Sequence, residues 1–486
     1  MASRKKSKKK NREILIVSAL FCALFVWMIG YFTVYSVSHE EELINNSYNS
    51  RQRILASEDY RGTIFDRNGE VLAATVVDSD GTERREYPYR NLFAHTVGYS
   101  GKGKTGLESR YNYYLISSDI SDAAKVENQL AGRKNPGNEL YTTIDLTLQQ
   151  AADRAMGIYK GAIIALDPKT GQVLAMVSKP DFDANTIAEK WDSYLADEEN
   201  SVLLNRAAQG LYQPGSTFKI VTALEYLNQN ENLYSGYHFD CSGSTRIGEE
   251  TIHCFHGMKH GTVDFQTSFS KSCNTSFAHI GMSLDRTKFG NTATKLLFHN
   301  SLPFELPTSI SSIDLGEKTT DAALLQASIG QGRTSISPLH LAMITSGIAN
   351  GGVMMKPYLA DRIVSPDQTV IKSFSPEEVS TIMTKEQADI LTELMRSVVT
   401  EGTGKKLSEA DYCAAGKTGS AEFSDSTSDS HAWFTGFAPA DDPKIVVTVI
   451  IESAGSGGDY AVPMAKRVFD AYFSERETNG NDHDLR

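Results

Sequence analysis

Positive charge is scarce in this chain. Its 486 residues carry a net charge of −12, and seven basic residues are concentrated in the first thirteen positions, so the remaining body is more acidic still. That balance disfavours nucleic acid as a partner. Cysteine is scarce too. The five residues, Cys22, Cys241, Cys254, Cys273 and Cys413, are too few for a disulfide scaffold. Cys241 and Cys254 are close enough in sequence to pair across a short loop in an oxidising compartment; two free thiols are the alternative. There is no internal repeat and no second apolar run long enough to cross a membrane, so at most one anchor is expected.

The one long apolar run, "ILIVSALFCALFVWMIGYFTVYSV" (14–37), contains no charge. At 1.5 Å per residue a helix of that length spans about 36 Å, enough to cross a hydrocarbon core. Arg4, Lys5, Lys6, Lys8, Lys9, Lys10 and Arg12 precede it. The positive-inside rule then predicts a cytoplasmic basic tail over 1–13, a single-pass transmembrane helix over 14–37, and an extracytoplasmic body from about residue 38. The run is too long for a cleaved signal peptide, and no small-residue cleavage site follows it.

"GYSGKGKT" (98–105) matches the nucleotide-binding pattern G-x-x-x-x-G-K-[ST]. Such a loop needs a strand before it, for which "LFAHTVG" is the candidate, and a helix after it, for which "LESRYNYYL" is the candidate. It also needs ATP, which is scarce outside the cytoplasm. The "KTG" of this loop, Lys104-Thr105-Gly106, recurs at Lys417-Thr418-Gly419, and at most one copy is expected to carry chemistry.

Local signals give the organisation. "RGTIFDRNGEVLAATVV" (61–77) reads as a hairpin turning on Asn68-Gly69. A new unit begins near 143, where Asp145 can cap a helix carrying Leu148, Ala151, Ala152 and Met156. "GAIIALDPKTGQVLAMVS" (161–178) is a second hairpin. The runs 412–422, 431–439 and 444–452 predict an antiparallel meander. Helical patterns lie between, including a capping box at Thr384 and Gln387. Strands at both ends of a unit with helices between them imply an α+β fold, one antiparallel sheet covered by helices. The expected divisions are a smaller β-rich membrane-proximal domain over 38–142, a larger domain over 143–475, and a frayed polar tail over 476–486.

Three short motifs carry chemistry by their order. In "QPGSTFK" (213–219), Ser216 and Lys219 lie one helical turn apart, so hydroxyl and amine can meet and a neutral lysine can activate the serine. "SCN" follows at Ser272-Cys273-Asn274, and Lys417-Thr418-Gly419 lies on a predicted strand. Each pattern alone is uninformative, since S-x-x-K, S-x-N and K-T-G all occur more than once.

The ordered set resembles the penicilloyl-serine transferase superfamily. With "RGTIFDRNG", "GLE", "ALDPKTGQVLAMVS", "IGQGRTSISPLHLA", "IANGG", "AGKTGSAE" and "WFTGFAP", it looks like a class B penicillin-binding protein from about 61 to 452. In that family Gly-Leu-Glu belongs to the non-catalytic domain, so the resemblance makes the nucleotide-loop match accidental. It implies a peptidoglycan D,D-transpeptidase acting on stem peptides ending in D-Ala-D-Ala and acylated by β-lactams, with no metal and no cofactor. Ser216 would be the nucleophile and Lys219 its base. Ser272 would relay a proton to the leaving group, and Asn274 would hold the substrate backbone. Lys417 and Thr418 would receive the terminal carboxylate. Backbone N–H groups of Ser216 and Ser420, beside Gly419, would form the oxyanion hole. Two positions depart from the common pattern: Ser420 stands where Thr is frequent, and Cys273 fills the variable position of S-x-N.

Residues 38–142 are too few for a separate glycosyltransferase. The resemblance therefore implies a partner that polymerises glycan, a SEDS-type membrane glycosyltransferase. Other readings are a D,D-carboxypeptidase or β-lactamase of the same superfamily, a non-catalytic scaffold, and a P-loop NTPase. Ser272 and Asn274 could instead cap a helix. Arg61, Asp66 and Arg67 are expected to be structural, and Trp433 and Phe434 to lie in the core. Cys241, His253, Cys254, His256 and His260 suggest zinc superficially, but their spacing fits no strong site, so no metal is expected.

Overall fold

The computed structural model describes residues 2–39, 51–230, 234–248, 250–422 and 430–483. Residues 40–50, at the start of the expected membrane-proximal domain, lie outside these. One helix runs Ala2–Ser38. Within it Arg12–Ser38 has a mean hydropathy of 2.4 over its most apolar stretch and is not buried against any of the described residues. It is long and apolar enough to cross a membrane.

The larger domain is built on a five-stranded antiparallel sheet. Its strand order is Ala415–Glu422, Ser430–Ala438, Ile445–Ile451, Gly161–Leu166 and Val173–Lys179. Both expected hairpins and the meander are present. Gly161–Leu166 and Ile445–Ile451 are buried on both faces, and their side chains alternate between two cores, as the two-residue period of a strand requires. Ile163, Ala165, Val447 and Val449 pack with the helices Leu146–Met156 and Ala461–His483 on one face. Ile164, Val446 and Ile450 share the other core with residues of the helices Lys219–Gln229, Pro338–Ala349 and Lys385–Thr400. Trp433 and Phe434 are both fully buried.

Local polar bonds set the element ends. Asp145 accepts from the Thr147 and Leu148 amides, and Thr384 and Gln387 close the capping box. In the first hairpin Asp66 Oδ1 accepts from the amides of Asn68 at 2.7 Å and Glu70 at 2.8 Å, shaping the turn. The last helix continues to His483, past residue 475 where a frayed tail is expected. Its one proline, Pro463, sits in the first turn, where proline is accepted, none follows, and Glu475, Arg476 and Glu477 are tolerated in a helix.

The smaller domain is less self-contained than its sequence boundary suggests. Its six-stranded sheet has the order Val370–Ser373, Ala360–Val364, Glu139–Thr142, Ile64–Phe65, Val71–Val77 and Glu83–Glu86. Two of these strands come from beyond residue 143, so the sheet crosses the expected division. The glycine-rich loop belongs here. Residues 92–97 form turns rather than a strand, and only the short helices Gly106–Arg110 and Asn112–Leu115 follow. The loop thus lacks both elements a nucleotide site needs. Glu108 is fully buried and joins three partners: Arg61 Nε at 2.5 Å, Arg85 Nε at 2.7 Å and Tyr87 Oη at 3.2 Å. Gly-Leu-Glu is a structural junction, and Arg61 and Asp66 are structural with it.

Candidate active site

Ser216 lies in a tight turn, Gly215–Phe218, that feeds the helix Lys219–Gln229. The turn presses on the strand Ala415–Glu422, and glycine is required on both sides of the contact. Gly215 has φ +52°, and a Cβ there would sit 2.8 Å from the Ser420 carbonyl oxygen. A Cβ at Gly419 would sit 2.8 Å from the Pro214 oxygen. The backbone at Ser216 therefore lies against the backbone at Ser420, and both residues line one cleft of about 1000 Å³.

Lys219 Nζ is buried at the base of that cleft. It lies 3.1 Å from Ser216 Oγ, 2.7 Å from Asn274 Oδ1, 2.7 Å from the Ser272 carbonyl oxygen and 3.2 Å from Ser272 Oγ. Lys417 Nζ lies 3.0 Å from Ser272 Oγ and donates to the Thr418 carbonyl at 3.1 Å. Both lysines are fully buried. Burial pushes Lys219 down to about 7. Burial first, and then the neighbouring Lys219 amine, lower Lys417 well below the ordinary lysine range. The two ammonium groups disfavour each other's charge, which is one route to a neutral lysine at physiological pH.

Ser272 and Asn274 do not cap a helix. The cap position of Asn274–Ser283 is Cys273, with no side-chain capping bond. Ser272 instead has φ +56°, unusual for a residue with a side chain. In that conformation its carbonyl and its hydroxyl both reach Lys219. Asn274 uses its other end to donate from Nδ2 to the His253 carbonyl at 3.0 Å.

The eight sequence-predicted residues converge, with one refinement. Ser216, Ser272, Asn274, Thr418, Gly419 and Ser420 line the cleft, whereas Lys219 and Lys417 lie beneath it. The Thr418 hydroxyl faces Thr403, with Oγ1 atoms 2.5 Å apart. Sequence reading missed Thr403, which belongs to no recognisable motif. It also missed the wall built by residues 251–258 and His260. Cys241 and Cys254 are free thiols with sulfurs 3.6 Å apart, and Cys273 and His260 stand with them.

A serine, two buried amines and a bridging serine hydroxyl form an acyl-transfer arrangement. The family model described as "Penicillin binding protein transpeptidase domain" matches residues 161–470. The chain belongs to the penicillin-binding protein transpeptidase family. A second model, "Penicillin binding protein A dimerisation domain", matches residues 61–140. Among relatives, the peptidoglycan D,D-transpeptidase PbpA of Mycolicibacterium smegmatis is 32% identical, covering 96% of this chain and 99% of its own. The imipenem acyl-enzyme of penicillin-binding protein A from M. tuberculosis superposes with TM-score 0.79 at 30% identity, covering 86% of this chain and 99% of that one. The D,D-transpeptidase domain of a peptidoglycan glycosyltransferase from Eggerthella lenta gives TM-score 0.78 at 32% identity, with coverage of 86% and 99%. These neighbours share the mixed α and β architecture, so the expected fold class holds.

Proposed function

We propose that this penicillin-binding protein is a peptidoglycan D,D-transpeptidase that works through an acyl-enzyme on Ser216. The observation that carries the reading is the 3.1 Å contact from Lys219 Nζ to Ser216 Oγ at the floor of the cleft. The Ser216 oxygen attacks the carbonyl carbon of the penultimate D-Ala, and its proton passes to neutral Lys219. The amides of Ser216 and Ser420 receive the oxyanion. The departing D-Ala amine takes its proton through Ser272 Oγ, which touches both lysine amines. An amine of a neighbouring stem peptide then attacks the ester carbonyl and loses its proton along the same route. That step forms the cross-link and restores Ser216.

In this reading, recognition of the terminal carboxylate is divided between contact and field. Thr403 and Thr418 line the cleft, and their hydroxyls are the groups that would contact the anion. Lys417 acts from beneath, and an arriving carboxylate favours its charged form. The β-lactam amide mimics the scissile peptide, and the imipenem acyl-enzyme of the M. tuberculosis relative supports acylation by such compounds.

The remaining assignments are part of the same reading. The basic residues ahead of the apolar helix support a cytoplasmic N-terminus and a catalytic body outside. The functional units are a pedestal over 38–142, reinforced by strands 360–373, and a transpeptidase domain over 143–475. A membrane glycosyltransferase of the SEDS type supplies glycan strands. The test is fluorescent penicillin labelling of the full chain: Ser216→Ala abolishes covalent labelling while the circular dichroism spectrum is kept. Labelling of a folded Ser216→Ala protein overturns the assignment.

A further inference from the structure

Behind the S-x-N segment lies a cluster that the acyl-transfer reading does not use. Cys241 ends the strand His238–Cys241, and Cys254 follows Glu250–His253. His260 precedes Gly261–Asp264, and Cys273 separates Ser272 from Asn274. Cys241 Sγ lies 3.6 Å from Cys254 Sγ and 3.3 Å from His260 Nδ1. Cys254 Sγ lies 3.7 Å from Cys273 Sγ. All four ligand atoms fall within 4.8 Å of one another. The three cysteines are buried and His260 is half-buried.

Two ordinary explanations fit poorly. A disulfide needs sulfurs about 2.05 Å apart, and it would leave the third thiol and the imidazole over. Thiol hydrogen bonding gives little, because S–H is a weak donor and sulfur a weak acceptor. Tetrahedral zinc accounts for all four groups. Zn–S bonds of about 2.3 Å and a Zn–N bond of about 2.0–2.1 Å place tetrahedral ligand atoms roughly 3.6–3.8 Å apart. Three of the six separations, at 3.3, 3.6 and 3.7 Å, are close to this, and the other three stay within 4.8 Å. Soft thiolates with one imidazole select zinc over hard cations. Thr275 Oγ1 donates to Cys241 Sγ at 3.2 Å and stands 3.3 Å from Cys273 Sγ, the outer hydrogen bonding that thiolate ligands commonly receive.

We infer that Cys241, Cys254 and Cys273, as thiolates, and His260, through Nδ1, bind one Zn²⁺ ion that fastens the cleft wall to the S-x-N segment. Four protein ligands close the coordination shell, so the ion is structural and does not activate water. Binding displaces the thiol protons to solvent. The sequence spacing concealed the site because Cys273 comes from a separate segment, while the nearby His253 and His256 are not part of it. The consequence for the cleft is direct. Cys273 is held between the two residues that grip Lys219, and the wall segment 251–258 meets Asn274 through the His253 carbonyl.

The test is elemental analysis of the full chain, purified without chelator. One zinc ion per chain is expected. Cys241→Ser, Cys273→Ser and His260→Ala lose most of it, while Cys413→Ser, at the exposed cysteine, keeps it. Should the variants fail to fold, the wild-type protein still decides: stripping with a chelator exposes three further thiols to alkylation, and refilling with Co²⁺ produces thiolate-to-cobalt charge-transfer absorption. Folded wild-type protein that holds no zinc after incubation with excess ZnCl₂ overturns the inference. So does a Cys241–Cys254 disulfide in the mass spectrum, or equal zinc loss in Cys413→Ser. Penicillin labelling of Ser216 is read separately, so failure here leaves the transpeptidase assignment standing.

Discussion

The amines of Lys219 and Lys417 share one oxygen: Ser272 Oγ lies 3.2 Å from the first and 3.0 Å from the second. Both amines are buried, so double protonation is disfavoured, and the hydroxyl between them can pass a proton in either direction. Acid–base function thus resides in a three-membered unit rather than in one lysine.

The first consequence concerns pH. Lys219 acts as base only without its proton, and burial holds it at about 7. The acylation rate constant for penicillin is therefore low in acid and climbs as pH rises through about 7. Lys219→Arg stays protonated throughout and removes the climb together with most of the rate. Stopped-flow acylation over a pH series checks this; a flat profile for the wild-type protein contradicts it.

The two Lys-Thr-Gly copies are expected to behave oppositely. Lys104 is exposed in a pedestal loop, whereas Lys417 is buried beside Ser272. Lys104→Ala leaves acylation within about threefold, and Lys417→Ala slows it about a hundredfold or more, the scale for losing a donor to developing charge. Second-order acylation rates separate the two, and equal losses mean the wrong copy has been assigned.

Glu108 predicts a stability effect without a catalytic one. Its carboxylate is fully buried between Arg61 and Arg85. Glu108→Ala leaves two largely buried guanidinium groups unpaired, a loss of about 3–5 kcal/mol for a broken buried pair. Denaturant unfolding measures the loss, while the acylation rate of the surviving folded protein stays near that of the wild type. A change below about 1 kcal/mol, the range of surface pairs, shows that the junction is not structural.

Sequence patterns were most informative where structure is local. The Asn68-Gly69 hairpin, the Asp145 cap and the Thr384–Gln387 box each depend on neighbours within a few residues, and each is present. The serine–lysine pair was legible for the same reason, one helical turn separating its members. Non-local features were not. Nothing in "ADRIV" (360–364) says that it pairs with Glu139–Thr142. Thr403 meets Thr418 only because the chain returns beside the strand Ala415–Glu422. "LFAHTVG" has the apolar content of a strand but folds as turns, since Gly98 and Gly106 adopt positive φ and bring the loop back on itself.

The shared six-stranded sheet also has a mechanical meaning. Load applied at the N-terminal end of the smaller domain reaches Ile64–Phe65, passes to its parallel neighbour Glu139–Thr142, and from there to Ala360–Val364. The first of these ladders joins two residue pairs and the second four, so the load is handed from a short contact to a longer one. The strand Ala360–Val364 is itself rooted in the catalytic body through the helix Pro338–Ala349, which lies in the core beside the transpeptidase sheet. The base is therefore tied to the domain that carries Ser216 by continuous sheet rather than by a loose linker. Pulled from its N-terminal end in a single-molecule experiment, the body beyond the apolar helix should yield in one coupled event, with no separate early release of a hinged lobe.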